Sequence, residues 1–133
     1  MQAAPTSNEP AYASGVCNIG PYEVAARRRA GHVGLIGAVA LLVGLLVVDA
    51  PPIARLVVAL PVAGAAIGYL QAYFRFCAGF GFRGVFNFGP LGTTQPVADP
   101  EAAARDRARA IRITAAAALV GLATGVVLVF LPI

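Results

Sequence analysis

Val33–Val48 reads VGLIGAVALLVGLLVV, Leu56–Phe74 reads LVVALPVAGAAIGYLQAYF, and Ile113–Ile133 reads ITAAAALVGLATGVVLVFLPI. No Asp, Glu, Lys or Arg interrupts any of the three. Runs this long and apolar read as membrane-spanning helices. Nine of the ten arginines lie on one side of them: Arg27, Arg28 and Arg29 before the first run, and Arg75, Arg83, Arg105, Arg107, Arg109 and Arg112 between the second and third. Only Arg55 lies in the other loop. Positive residues beside membrane segments are retained in the cytoplasm, so the expected topology has the N-terminus cytoplasmic and the C-terminus outside. The expected fold is an all-α integral membrane protein over residues 16–133, with spans at about 31–49, 53–74 and 111–131. A cytoplasmic interfacial loop, 75–99, and a cytoplasmic helical lead, 100–112, would join the second span to the third.

Composition agrees. Hydrophobic residues make up 59% of the chain and charged residues 12%, with a mean hydropathy of +0.77. A soluble domain carries about 25% charged residues. The pI of 9.7 raises nucleic acid as a partner, but the arginines flank apolar spans, where anionic lipid headgroups are nearest. Arg27, Arg28, Arg29, Arg75 and Arg83 are the candidates for lipid phosphate. Lysine is absent, which fits either a preference for the bidentate guanidinium fork or a GC-rich bacterial genome. The bacterial inner membrane is the expected location.

Residues 1–15, MQAAPTSNEPAYASG, are small, polar and proline-bearing, the composition of a disordered tail. They lack the early apolar region of a signal peptide. Gly20-Pro21-Tyr22-Glu23 then opens a helix, with proline in the first turn and an early carboxylate at its positive end. Val33–Val48 alone spans about 24 Å at 1.5 Å per residue, short for a ~30 Å core. Adding Ala30, Gly31 and His32, with the arginines snorkelling, closes the gap. Pro51-Pro52 makes the outer turn, where Asp49 and Arg55 can pair. Pro61 should kink the second span. Asp99-Pro100-Glu101 caps the third helix, which would run about 48 Å from Pro100 to Leu131.

Small residues mark how the spans associate. Gly64/Gly68 and Gly121/Gly125 are both GxxxG, and the first span carries Gly31, Gly34, Gly37 and Gly44. Such faces let helix backbones approach closely in lipid. They serve either packing within the chain or a seam with another subunit or a copy.

Six of the seven phenylalanines fall in three Phe-x-Phe units, Phe74/Phe76, Phe80/Phe82 and Phe86/Phe88, interrupted by glycines. Phe-x-Phe puts both rings on one face only in an extended strand, so an irregular or hairpin-like segment is expected. It reads either as an aromatic belt at headgroup level or as a docking surface on Phe80, Phe82 and Phe86 for a partner or an apolar cofactor such as a quinone or pigment. Which cofactor, if any, is unknown from the sequence.

Cys17 and Cys77 both lie just outside a span at the arginine-rich end. With His32 they offer three soft ligands, one short of a structural zinc set and without CxxC spacing. A redox thiol pair and two unreactive thiols are the other readings. Motifs for phosphate loops, zinc proteases and serine hydrolases are absent, and no Asp, Glu, Lys or Arg lies within a span interior. A stand-alone enzyme or ion-coupled transporter is therefore not expected.

Cys17-Asn18-Ile19-Gly20 leads into Glu23, Arg27–Arg29, Gly31 and the first span, and the second span ends in Phe76-Cys77, with Gly84 following. This arrangement resembles the small bacterial helical-hairpin family of unknown function found as the membrane tail of membrane-bound rhodaneses. In that family an Asn-x-Gly segment precedes an arginine-rich entry to the first helix, and a cysteine follows the second. The resemblance covers about residues 17–89. The chain departs from the pattern in having no Cys-Pro pair, no rhodanese domain and a third helix. The resemblance implies a helical hairpin that associates with copies or partners, and assigns no chemistry. The expected function is accordingly non-enzymatic: an accessory or structural subunit of a membrane complex, or a homo-oligomer. A thiol or metal redox module and a lipid- or quinone-binding module are the alternatives.

Overall fold

The computed structural model describes residues 11–133. The tail expected over residues 1–15 therefore lies mostly outside the described residues. Helix α1 runs Pro21–Val47. A 3-10 segment, Pro52–Val58, passes into α2, Ala59–Phe74. A short helix α3, Ala78–Arg83, is followed by β1, Val85–Phe86, and β2, Gln95–Pro96, which pair antiparallel with Val85 opposite Pro96 and Phe86 opposite Gln95. Helix α4 then runs Pro100–Phe130. Three helical stretches, Pro21–Val47, Pro52–Phe74 and Pro100–Phe130, are long and apolar enough to cross a membrane.

Helix boundaries follow local chemistry. Proline occupies the first turn of α1 and of α4, where its missing N–H has no intrahelical partner to lose. The Asp99 carboxylate accepts from the Glu101 N–H at 3.1 Å and starts α4. At Arg75 the backbone turns left-handed (φ +53°) and stops α2. Gly84 does the same for α3 at φ +68°, a conformation open to glycine without a Cβ penalty. The irregularity expected at Pro61 takes another form. The polypeptide changes from 3-10 to α geometry at Ala59, so Pro61 falls in the first α turn, where a proline is tolerated.

Helix α2 lies between α1 and α4, and each of those packs along α2 rather than along the other. The α1–α2 seam is made of glycine. A methyl group at Gly68 would lie 2.6 Å from the Gly31 backbone nitrogen, and one at Gly34 would lie 2.7 Å from the Ala65 nitrogen. Gly64 takes no part in this seam within the chain, since no described residue approaches within 4 Å of the position of its missing Cβ. The two glycines are one helical turn apart, but α1 approaches α2 on the Ala65/Gly68 side and leaves Gly64 bare.

The second GxxxG forms the α2–α4 seam with both its glycines, though unequally. A methyl at Gly121 would lie 2.6 Å from the Ala59 carbonyl oxygen, a backbone atom that cannot give way. At Gly125 the added methyl would meet the Ala59 Cβ at 3.0 Å and the Leu56 carbonyl oxygen at 3.3 Å. Gly125 is buried in the same seam but one turn farther along, where α4 passes onto the 3-10 segment and the backbones stand slightly farther apart. The tight contact therefore belongs to Gly121, and Gly125 extends it with a few tenths of an ångström more room.

Arg55 is buried, and not as a partner of Asp49. Its guanidinium donates to the carbonyls of Leu128 (3.0 Å), Leu131 (2.9 Å) and Ile133. These oxygens lie at the carbonyl end of α4, where a cation opposes the helix dipole. Arg55 thus ties the α1–α2 turn to the end of α4.

Candidate functional site

The chemistry of the chain gathers at the opposite end, where residues 12–20, the α2–α3 turn and the start of α4 meet. Two Asn-x-Gly tripeptides, Asn18-Ile19-Gly20 and Asn87-Phe88-Gly89, lie side by side there. The Asn87 N–H donates to the Asn18 carbonyl (2.9 Å), and the Gly20 N–H to the Asn87 carbonyl (2.8 Å). Gly20 must be glycine, because a methyl there would lie 2.8 Å from the Phe88 Cα. Both asparagines are buried with their amides paired. Asn18 bonds the N–H and carbonyl of Cys77. The Asn87 amide nitrogen donates to Glu23 Oε1 and to the Pro90 carbonyl, while its oxygen accepts from the Gly89 N–H and the Thr93 hydroxyl.

Asp106 of α4 is 0% exposed. It accepts from the Tyr12 hydroxyl and from the Gly15 N–H, each at 2.7 Å. Tyr12 stacks on Phe86 with centroids 4.8 Å apart, and Ser14 accepts from Arg105 Nε at 2.8 Å. Residues 12–15, expected to belong to the disordered tail, are thus held on α4 by a carboxylate. Burial and the Asp106 carboxylate push the Tyr12 hydroxyl above the usual tyrosine range, so it stays protonated.

The phenylalanine segment departs in part from the irregular or hairpin-like reading. Phe80 and Phe82 lie on the helix α3, not on a strand, and only Phe86 belongs to the strand pair. Gly81 makes α3 possible: it sits so close to α4 that a methyl would lie 2.8 Å from the Asp106 carbonyl oxygen. The rings consequently diverge. Phe80 is 6% exposed, packed with Ile19 and Cys77, and faces the guanidinium groups of Arg27 (5.6 Å) and Arg83 (5.2 Å). Phe82 is 44% exposed, and Phe86 is covered by Tyr12. These three rings do not form a common docking face.

The soft ligands do not converge either. Cys77 is buried and accepts from Arg27 Nη2 at 3.1 Å, Cys17 donates to the Ile19 carbonyl, and His32 bonds Tyr69 on the outside of the α1–α2 pair. Among the described residues no three His, Cys, Asp or Glu side chains gather to hold a metal. Burial pushes the Cys17 thiol up, against smaller lowering effects from a backbone hydrogen bond of Ile19 and from Arg75.

Of the arginines expected at lipid phosphate, Arg27 is turned inward. It pairs with Glu23 at 3.1 Å as well as with Cys77 and Phe80. Arg28, Arg29, Arg75 and Arg83 are exposed. Glu23 and Asp106 are buried at this end. Burying these carboxylates leaves the outer surface more cationic than the sequence count suggests.

Sequence reasoning does not single out Asn18, Asn87, Asp106 or Arg55 as organising residues. The repeated Asn-x-Gly is the one local signal for the first two. Comparison of the chain with protein-family models, with curated proteins and with solved structures finds no match in any of the three.

Proposed function

We propose that the chain is a small, multi-pass bacterial inner-membrane protein, N-terminus cytoplasmic and C-terminus outside, that works by helix association. It serves as an accessory or structural subunit of a larger membrane complex, or as a homo-oligomer. The observation that carries this reading is the open, single-layer arrangement of α1, α2 and α4, with glycines on surfaces that no described residue covers. Gly44 and Gly64 each have nothing within 4 Å of a built Cβ. A helix-interior glycine costs about 1 kcal/mol relative to alanine, and close backbone approach is what repays it in lipid. At these two positions no described residue makes that approach, which supports a contact supplied by another chain. The residues that carry the hairpin-family resemblance, Asn18, Gly20 and Cys77, meet at one end of the α1–α2 pair, which supports treating that pair as the associating unit. The redox alternative is disfavoured by the separate partners of the two thiols, and the quinone or pigment alternative by the committed rings of Phe80 and Phe86.

The test is mild-detergent purification of the wild type and of Gly44→Leu/Gly64→Leu, with mass measurement of the intact assembly. The wild type is expected to carry copies or partner chains that the variant loses. A wild type that is monomeric and free of any companion chain refutes the association reading. For topology, single cysteines in the 90–98 loop should resist membrane-impermeant reagents in intact cells, and a tag after Ile133 should be reached.

A further inference from the structure

On the surface where α1 meets α2, one turn inside the arginine-rich end, lies a polar group that the fold itself does not use. His32 Nδ1 and the Tyr69 hydroxyl share a 2.6 Å hydrogen bond, with their rings edge to face at 5.3 Å. The Tyr69 ring is held against Gly31, where a methyl would lie 2.8 Å from its Cδ1. The pair is therefore fixed by packing, while His32 remains exposed. Arg28 and Arg29 precede His32 by four and three residues and share its face of α1. Tyr73 follows Tyr69 by one turn and is 81% exposed. Among the described residues, Arg28 and Arg29 have no hydrogen bond or ion pair, and neither the second ring nitrogen of His32 nor the Tyr73 hydroxyl has a polar partner. The nearest carboxylate on α1, Glu23, is buried and taken by Arg27 and Asn87.

The surface continues as an apolar furrow. Leu35 and Val39 lie one and two turns beyond His32 and are exposed, and Ala66 and Val62 lie one and two turns before Tyr69. Because α1 and α2 run in opposite directions, both pairs extend the same way, from the arginines toward the centre of the apolar stretch. Two unpaired guanidinium groups and an imidazole at the head of an apolar furrow match an amphiphile with an anionic phosphate and a hydrocarbon chain. At the headgroup level, lipid phosphate and ester oxygens are the acceptors that such donors meet.

We infer that Arg28, Arg29, His32, Tyr69 and Tyr73 bind the phosphate of an anionic phospholipid, one acyl chain of which lies in the furrow between α1 and α2. This site rests on the membrane reading above and is independent of helix association with other chains.

The test uses the full chain reconstituted in vesicles of equal phosphatidylglycerol and phosphatidylcholine. Flotation reports insertion, and mass spectrometry counts the lipids retained after detergent extraction. Wild type should retain phosphatidylglycerol over phosphatidylcholine, and Arg28→Gln/His32→Gln should lower that preference roughly tenfold. Tyr69→Phe, which keeps the ring over Gly31 and removes only the hydroxyl, should lower it less. Arg107→Gln, an equal loss of charge on α4, should leave it unchanged. Equal retention of both lipids by an inserted wild type, or by wild type and double variant alike, overturns the site. So does an equal effect of Arg107→Gln, which would reduce the preference to bulk charge. Displacement of the lipid by inorganic phosphate at matched concentration would show a free-phosphate site and overturn the lipid assignment. Failure to float would refute the membrane reading, and with it the site.

Discussion

The side-chain amide of Asn18 pairs with both backbone groups of Cys77: its Oδ1 accepts from the Cys77 N–H at 2.7 Å, and its Nδ2 donates to the Cys77 carbonyl at 3.1 Å. A third bond, from the Asn18 N–H to the Arg75 carbonyl at 3.1 Å, joins the same two segments. One buried asparagine thus holds the chain entering α1 against the turn leaving α2.

Asn18→Ala should leave the buried Cys77 N–H without a partner and remove one of the two donors to the Cys77 carbonyl, which keeps the Gly81 N–H. Such an orphan costs about 1–3 kcal/mol, so a clear fall in the unfolding midpoint in detergent micelles is expected. Asn18→Asp keeps an acceptor for the Cys77 N–H but sets oxygen against oxygen at the carbonyl, and should also destabilise. A midpoint unchanged in Asn18→Ala would show that this corner does not support the fold.

The two glycines of the first GxxxG should behave differently. Gly68→Ile drives a side chain into the Gly31 backbone and should cost about 1–3 kcal/mol or more, as overpacking does. Gly64→Ile enters open space and should leave the unfolding midpoint of the isolated chain within about 0.5 kcal/mol. Equal losses from both would contradict the observed seam.

Within the phenylalanine segment, Phe80→Leu removes a buried ring from between Ile19 and Cys77, together with its contacts to Arg27 and Arg83. Cation–π contacts contribute about 0.5–2 kcal/mol, and a measurable loss of stability should follow. Phe82→Leu should alter stability little. Thermal unfolding of the two variants side by side decides between these roles.

The raised Cys17 thiol sets a pH dependence. Burial favours the neutral form, so the folded thiol remains protonated where a free thiol has begun to ionise. Its contribution to stability is complete below the ordinary thiol range and is lost as pH rises through and above it. Alkylation at Cys17, followed on its own peptide by mass spectrometry, should accelerate at higher pH in the folded protein than after denaturation. Coincident pH profiles in the two states would contradict this.

The three long helices were legible because length and hydropathy are local properties, readable from consecutive residues. The caps at Pro21 and Asp99-Pro100 were legible for the same reason. The α3 helix was not. Phe-x-Phe spacing favours a strand, and only the proximity of Gly81 to Asp106 shows that glycine there serves close helix packing. The composition of residues 12–15 carries no information about a carboxylate more than ninety residues away.

The sequence by itself determined three apolar stretches, their breaks and the concentration of arginine at one end, since each follows from neighbouring residues. Only the tertiary structure decided which glycines touch another helix and how closely, that Arg55 joins α4 rather than Asp49, and that Arg27 turns inward while Arg28 and Arg29 stay free. Those outcomes depend on how helices rotate about their axes when packed. Gly121 and Gly125 both face α2, whereas Gly64 and Gly68 share the same motif and the approach of α1 uses only Gly68.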